Sequence, residues 1–426
     1  MGLPKDILDG WVLNNIKKFD HKLVGDPANG TRRVSGQLLS PPDTVMASST
    51  TSSSGTELPS VQPDLEVPLN LYSVQAFEFI GFTTKKSEQL LKIWASADEF
   101  SLQEVLAAHI DEFCCGPVKD PRTTMQELGI SEARQERIMD PHFNDVRNTA
   151  PIYHWIMELV LENLWTLENL SERLNRNLLV LQSGQKSSSS LRGGASEYRS
   201  KYDLIQAGHT TLYRSTSARR LENVFGKTSV RLEKMCWMPM APNDFSFEKV
   251  AYYWSNEHWV SERFAAYTSN IIQAPGNVYI IRALVPQGLL EGEGVWKLNF
   301  GDDWKKLVWH SRNSEPYPPN IQEKHDQSKI IIGPVSINET WAFRKMKSWK
   351  EVTESNTWIV RSESRNYHAM QYVWIGMRAM AAMNEPLKDK WDIFRGNWLL
   401  CRQNAWADCR ARHIPEPEKW VSDHLA

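Results

Sequence analysis

The sequence lacks the features of membrane-spanning and of strongly charged proteins. No apolar run approaches the roughly 20 residues needed to cross a bilayer. The opening residues, MGLPKD, have neither the basic segment nor the apolar stretch of a secretory signal. Lysine and arginine number 49 against 51 aspartates and glutamates, for a formal net charge of −2. Without a large net field, the charge does not predict a nucleic acid or an anionic membrane as partner.

Cysteine is scarce, and its spacing excludes the usual metal and redox motifs. No pair forms a C-x-x-C or a zinc-type spacing. Such thiols are typical of a reducing compartment, where they stay buried or idle. We therefore expect an intracellular protein, cytoplasmic or nuclear, without a metal site. The five cysteines are Cys114, Cys115, Cys236, Cys401 and Cys409.

Several catalytic signatures are also absent. The chain contains no G-x-x-x-x-G-K-[ST], no G-x-G-x-x-G after a strand, no H-E-x-x-H and no G-x-S-x-G. These absences argue against a P-loop enzyme, a Rossmann dehydrogenase, a zincin and an α/β-hydrolase.

Composition divides the chain into regions of different character. A length of 426 residues predicts two or three folded units. Residues 1–68 are predicted to be a flexible arm, because the serine-rich tract at 48–55 holds no aromatic side chain. A short helix over residues 7–19 of this arm could dock elsewhere. The apolar side chains on one side of that helix are Trp11, Ile16 and Phe19. Residues 184–203 are predicted to be a polar linker.

Residues 69–183 show the periodicity of helices. Apolar residues recur every three to four positions, and Ser101 with Glu104 forms a capping box at one helix start. Pro151 opens a long helix with an apolar stripe, on which Glu162 is expected to be solvated. We expect a helical accessory or partner-binding region without chemistry of its own.

A tryptophan-rich α+β domain is predicted over residues 204–385. Fourteen of the eighteen tryptophans lie beyond the linker, where short β-type runs replace the long helical stripes. The clearest elements are strands at 210–215, 249–254, 277–285 and 328–335, a helix at 257–269, and a strand or helix at 372–383. They mingle without a βαβ alternation, which favours α+β over a doubly wound sheet. A helical tail is predicted over residues 386–426.

An ordered series of short motifs runs through this domain. The series comprises LYRST at 212–216, YYWS at 252–255, VYI at 278–280, a Trp304-to-Arg312 segment, IIIGPV at 330–335 and MQYVW at 370–374. This order resembles a family of ADP-ribosyltransferase-like domains, best known as small bacterial proteins. Their pattern runs Leu-Tyr-His-Gly-Ser, Val-Tyr-Glu, Trp-Leu-x-Phe-Val, Val-Ile-Gly-Pro-Val and Gln-Ile-x-Phe. The resemblance covers about residues 212–383.

The resemblance implies a split β-sheet of the ADP-ribosyltransferase type and NAD as substrate. Arg214 falls where the family anchors the NAD ribose or diphosphate, and a forked, permanently charged guanidinium suits phosphate. Tyr253 falls on the aromatic that stacks against nicotinamide, and Ser215 and Thr216 would bind its amide. Gln371 falls where the wider superfamily keeps the glutamate that holds a ribose hydroxyl and stabilises the oxocarbenium-like transition state. The implied catalytic residues are thus Gln371, Arg214 and Tyr253, and the implied NAD contacts are Arg214, Ser215, Thr216 and Tyr253.

Two departures from the family pattern and one from the wider superfamily bear on activity. Arg214 replaces a histidine, Ser215 replaces a glycine, and the amide of Gln371 offers no charge to an oxocarbenium. Losing one preorganised electrostatic contact typically lowers the rate about 10²–10³-fold. One hypothesis is an enzyme that cleaves the nicotinamide–ribose bond and passes ADP-ribose to a macromolecule or to water. Another is a catalytically silent interaction module, and a third is a cleft for another phosphorylated nucleotide or a nucleic acid.

Each candidate residue also has a purely structural interpretation. Arg214 could be an exposed strand-end arginine, Tyr253 a core residue and Gln371 an ordinary strand residue. Two other places offer a carboxylate in place of Gln371. These are the Glu-x-Glu at 291–293, in a glycine-rich loop, and Glu363 in a Ser-Glu-Ser sequence.

Overall fold

A computed structural model of the chain describes residues 6–39, 63–96, 100–114, 119–183, 206–222, 243–274, 278–361, 366–383, 386–387 and 390–394. Within them, helices combine with a mixed β-sheet, so the predicted α+β class is confirmed. The predicted linker at 184–203 and Glu363 lie outside the described residues.

The N-terminal segment packs against the rest of the chain. Its elements are helix α1 (Gly10–Phe19), strand β1 (Thr31–Val34), helix α2 (Gly36–Leu39) and strand β2 (Leu65–Pro68), with β1 antiparallel to β2. A flexible arm is therefore a wrong prediction for residues 6–39 and 63–68. The buried face of α1 carries Val12 and Ile16, whereas Trp11 is 62% and Phe19 45% exposed. The aliphatic positions at i and i+4, rather than the aromatic ones, enter the core.

The described residues between 74 and 183 form a series of helices. The helices are α3 (Val74–Ile80), α4 (Thr84–Ser96), α5 (Leu102–Cys114), α6 (Pro121–Leu128), α7 (Glu132–Ile138), α8 (Asn144–Arg147) and α9 (Ile152–Ser183). At the start of α5, Ser101 Oγ accepts from the Glu104 amide and the Glu104 carboxylate accepts from the Ser101 amide, which confirms the capping box. No helix within the described residues is both long enough and apolar enough to cross a membrane.

The described residues of the C-terminal half contain nine strands. They are β3 (His209–Ser217), β4 (Ala251–Ser255), β5 (Val278–Pro286), β6 (Val295–Lys297), β7 (Ile330–Pro334), β8 (Ile359–Arg361), β9 (Asn366–His368), β10 (Met370–Ile375) and β11 (Trp391–Phe394). Seven of them form one sheet in the order β11-β5-β3-β4-β10-β7-β6, in which β6 and β7 are parallel and the other neighbours antiparallel. Because β11 pairs with β5, a helical tail is a wrong prediction for residues 391–394.

Seven helices accompany these strands. They are α10 (Ala218–Glu222), α11 (His258–Ile271), α12 (Gln287–Glu291), α13 (Asp302–Asn313), α14 (Pro319–Gln327), α15 (Thr340–Lys345) and α16 (Met377–Ala381). All five residues of β7 are buried, because the strand is covered on both faces. That burial explains its uninterrupted apolar run.

The sheet parts between β3 and β4. β3 pairs with β5 along its whole length, from His209↔Pro286 to Ser217↔Val278. Between β3 and β4 only Tyr213↔Ser255 is paired. The sheet therefore consists of a β11-β5-β3 half and a β4-β10-β7-β6 half that meet at one position.

The helical region is joined to the sheet through a shared core and buried ion pairs. One apolar cluster runs from Ile7 through α9 to Val278 and Ile280 in β5. Glu162 in α9 is 1% exposed and pairs with Arg219 in α10, at 2.8 Å. The predicted solvation of Glu162 is therefore wrong, because an apolar stripe this wide carries it into an interface that supplies a cation.

Candidate functional site

A cavity of about 200 Å³ lies where β3 and β4 part. Residues 213–217 of β3 and 253–255 of β4 form its sides, Gln371 of β10 contributes to its wall, and the first turns of α9 close another side. All the residues implicated by the motif series line this one cavity. They are Arg214, Ser215, Thr216, Tyr253 and Gln371.

Arg214 bridges the gap between the two halves of the sheet. Its Nη1 donates to the backbone oxygen of Tyr253 at 3.3 Å, at a point where β3 and β4 are not paired. The side chain is buried, so the alternative of an exposed strand-end arginine is wrong. A permanently charged group at the cavity wall suits an anionic or polyhydroxylated ligand.

Tyr253 combines core packing with a place in the cavity wall. Its ring packs against the apolar cluster that contains Phe245, and its hydroxyl donates to Asn243 Oδ1. Burial, followed by the nearby charge of Asp244, raises the pKa of Tyr253 well above its usual value. The phenol therefore stays neutral and cannot act as a base near neutral pH. What it offers a ligand is the face or edge of its ring.

Gln371 is held in one orientation by two acceptors. Its Nε2 donates to Asp244 Oδ2 at 2.8 Å and to the backbone oxygen of Pro334 at 3.1 Å. Because both partners only accept, the amide nitrogen must face them, and Oε1 must face the other way. The Gln371 nitrogen is thus engaged within the protein, and its oxygen faces away from Asp244 and Pro334.

Asp244 is a buried carboxylate of the cavity that the motif series misses. It accepts from Arg312 Nε at 2.9 Å, from the Ser336 amide at 2.8 Å, from the Ser336 hydroxyl and from Gln371. Arg312, in α13, is 0% exposed. A buried arginine requires a buried partner, so Arg312 is the signal in the motif series that predicts such a carboxylate.

Two buried donors beside the cavity have no hydrogen-bond partner among the described residues. They are Thr216 Oγ1 and Trp254 Nε1, and both residues line the cavity. Nearly all buried polar groups in folded proteins are hydrogen-bonded, so exceptions need an explanation. A polar ligand in the cavity would supply partners for them. Ser215, the fifth implicated residue, is half-buried at the same wall.

The helical region supplies a second charged end of the cavity. Glu158 of α9 lines it and pairs with Arg220, which also lines it. One turn further along α9, Glu162 Oε1 accepts from the Ser217 hydroxyl at 2.7 Å and from Arg219 Nε at 2.8 Å. The helical region, for which no chemistry of its own is expected, thus contributes residues to the cavity wall.

His154, also in the first turns of α9, lines the cavity as a neutral imidazole. Burial, followed by the charge of Arg220, lowers its pKa to about 3. The sequence gives no such signal, because a single histidine on a helix does not show what will cover it.

The carboxylates of the Glu-x-Glu motif are not brought to the cavity. Glu291 and Glu293 are exposed and do not line the cavity, so they do not replace Gln371. Where the structure describes the chain, His, Cys, Asp and Glu side chains do not gather in any group of three or more suited to a metal ion.

Comparison with known proteins adds no family assignment. No protein-family model, no curated protein and no solved structure matches the chain. The geometry of the cavity and the motif series are therefore the features that bear on its function.

Proposed function

We propose that the cavity binds NAD and that the protein cleaves the nicotinamide–ribose bond, as an ADP-ribosyltransferase-like enzyme. The observation that carries the proposal is the convergence of Arg214, Ser215, Thr216, Tyr253 and Gln371 at the single place where the sheet opens. These residues span 158 positions of the sequence, from 214 to 371, so nothing local brings them together. The ADP-ribose would pass to a protein acceptor or to water.

The size of the cavity fits one end of NAD. Pockets for small ligands usually measure about 300–1,000 Å³, and this one measures about 200 Å³. The nicotinamide and its ribose would occupy the enclosed part, and the diphosphate and adenosine would lie along the opening. In that arrangement Arg214 meets the ribose or the diphosphate, and Tyr253 lies against the nicotinamide ring.

The polar groups around the cavity suit the same ligand. The unpartnered Thr216 hydroxyl and Trp254 indole nitrogen offer donors to the carboxamide oxygen or to ribose oxygens. Gln371 Oε1 offers an acceptor to a ribose hydroxyl, because its nitrogen is already engaged. The site thus provides both kinds of partner that a nicotinamide riboside needs.

A catalytically silent interaction module is the second candidate. It is favoured by Gln371, which carries no charge and whose nitrogen is bound within the protein. Such a module would keep the fold and use the cavity, or the helical region beside it, to bind a partner without chemistry.

Incubation of the purified protein with NAD, with nicotinamide release followed by chromatography, tests the proposal. Arg214→Ala should reduce both NAD binding and release, whereas Arg344→Ala, at an exposed position of α15, should change neither. Binding of NAD without release would favour the silent module. Absence of both binding and release would contradict the proposed function.

A further inference from the structure

We propose that Asp244, held by its ion pair with Arg312, is the positioning residue of this site: it fixes the Gln371 amide so that only its oxygen can meet the ligand. The catalytic meaning of this inference rests on the proposed function. Its structural content rests on the described contacts alone.

The orientation of Gln371 depends on Asp244. A glutamine amide can turn over and exchange its oxygen and nitrogen at little cost unless its partners discriminate between them. Here the Gln371 nitrogen donates to Asp244 Oδ2 at 2.8 Å and to the Pro334 oxygen at 3.1 Å, and neither oxygen could accept if the amide turned over. The Pro334 oxygen also accepts from Trp304 Nε1 at 3.0 Å, so it is fixed in place. The ligand group at Oε1 must therefore be a donor, such as a hydroxyl.

Asp244 is itself held from several directions. Arg312 and both donors of Ser336 point at it, so the carboxylate cannot rotate away from Gln371. Arg312 also donates to the Thr149 oxygen. The Asp244–Arg312 ion pair therefore lies one hydrogen bond behind the amide and holds it in place.

This arrangement reverses the expected effect of restoring a glutamate. By analogy with the wider superfamily, Gln371→Glu would add the missing charge and raise activity. In this structure it would place a second carboxylate 2.8 Å from Asp244. Two carboxylates at that separation in a buried site cannot both ionise freely. The charge-conserving exchange, Asp244→Asn together with Gln371→Glu, keeps one charge and one amide and should be tolerated better.

A double-mutant cycle on stability tests the pair without reference to activity. We expect Gln371→Glu to lower the folding equilibrium constant at pH 8 at least ~10²-fold, measured by denaturant unfolding. The loss should shrink as the pH falls below 8, because the neighbouring like charge raises the pKa of the introduced carboxyl in the folded variant, which then binds a proton before the unfolded chain does. Adding Asp244→Asn to Gln371→Glu should recover at least tenfold at pH 8.

The chain supplies a matched control for this cycle. Gln322 donates Nε2 to Asp326 Oδ2 at 2.8 Å, as Gln371 does to Asp244, but it does so on the exposed face of α14. Solvent screens that pair, so Gln322→Glu should change the folding constant only a few-fold. If Gln371→Glu is no more disruptive than Gln322→Glu and the exchange recovers nothing, the inference about Asp244 is wrong.

Nicotinamide release separates this inference from the proposed function. We expect Asp244→Asn to lower kcat by at least ~10²-fold with a smaller change in KM, because Gln371 loses its fixed orientation and the buried Arg312 loses its carboxylate. If the stability cycle shows coupling between Asp244 and Gln371 but the wild-type protein releases no nicotinamide, the proposed function is contradicted. The inference that Asp244 positions Gln371 is then still supported. Release by the wild-type protein with kcat unchanged in a folded Asp244→Asn variant would contradict the role of Asp244 and leave the proposed function standing.

Discussion

Buried ion pairs hold both ends of the cavity. The two pairs differ in how many carboxylate oxygens are hydrogen-bonded and in which secondary-structure elements they connect. At the Gln371 end, Asp244 receives donors from Arg312, Ser336 and Gln371. At the α9 end, Glu162 Oε1 accepts twice, whereas its Oε2 has no hydrogen-bond partner among the described residues. The first cluster connects elements of the β4 half of the sheet. The second connects α9 to β3 and α10.

This difference shows what sets the width of the gap between the sheet halves. The β4 half holds its end of the cavity mainly through α13, β10 and the segment after β7, with a further contact from Arg312 to the Thr149 oxygen of the helical region. The β3 half is held in place partly by the helical region. The helical region is therefore a structural component of the cavity. Substitutions at each end should show how much each cluster contributes to stability and to ligand binding.

The largest effect is expected at the Gln371 end. Arg312→Leu would leave Asp244 buried without its cation, and breaking a buried pair in this way costs about 3–5 kcal/mol of unfolding free energy. Arg122→Leu is the control, because Arg122 pairs with Glu136 at 2.7 Å on the surface, where such pairs contribute only about 0–1 kcal/mol. Denaturant unfolding measures both. Equal losses of unfolding free energy in the two variants would show that the buried Arg312–Asp244 pair contributes no more than the surface Arg122–Glu136 pair.

A smaller effect is expected at the α9 end. Glu162→Gln keeps an oxygen for Ser217 and Arg219 but removes the charge, so we expect a loss of about 1–3 kcal/mol in unfolding free energy. Because this pair joins α9 to β3, NAD affinity should fall as well, although Glu162 is not among the residues that line the cavity. Isothermal calorimetry measures the affinity. An unchanged affinity together with lower stability would show that the α9 end does not control the gap.

His154 makes the α9 end sensitive to acid. Its pKa is near 3 in the folded protein and near the usual 6.5 when unfolded, so the unfolded chain binds the proton first. The contribution of the neutral imidazole is therefore complete above about pH 6.5 and is lost as the pH falls toward 3. Unfolding free energy should drop by up to about 1.4 kcal/mol per pH unit in that window.

The substitution His154→Phe isolates this effect. The variant should lack this share of the pH dependence, so the difference in unfolding free energy between it and the wild-type protein should change with pH below 6.5. A difference that stays constant between pH 7 and pH 4.5 would show that His154 is not a buried neutral group.

The smallest effect on stability is expected at Thr216. Its hydroxyl has no partner within the described part of the chain, so Thr216→Val removes an unsatisfied polar atom and should change the unfolding free energy by less than about 1 kcal/mol, or raise it. The same change should weaken NAD binding several-fold if the hydroxyl meets the ligand. Weaker binding at unchanged stability assigns the hydroxyl to the ligand, whereas unchanged binding contradicts that role.

The structure brings the residues of the motif series to one cavity, because they lie within neighbouring strands of the sheet. Arg214 and Tyr253 follow apolar strand patterns that fix their place in the sheet, and the order of the motifs placed Gln371 on a neighbouring strand. Asp244 could not be found in this way. It lies in a turn and is 127 residues from Gln371 in sequence, so only long-range packing brings the two together.

The burial of Glu162 in the helical region could not be predicted for a related reason. Periodicity shows which face of α9 is apolar, but it does not show what covers that face. Glu162 sits within the covered area because Arg219, 57 residues later, arrives there as its partner. The N-terminal arm was misjudged because its serine-rich stretch dominates the composition, whereas Val12 and Ile16 in α1 carry the packing.

The opening between β3 and β4 also gives the sheet two edges in its interior. Exposed strand edges invite pairing with other chains and hence aggregation. Here Arg214 occupies the Tyr253 carbonyl, and side chains of α11, among them Val260 and Phe264, lie against the gap. A small polar molecule can satisfy donors in this space, but an extended peptide cannot be laid alongside either strand. The gap is thus protected against strand invasion while it stays available to a ligand.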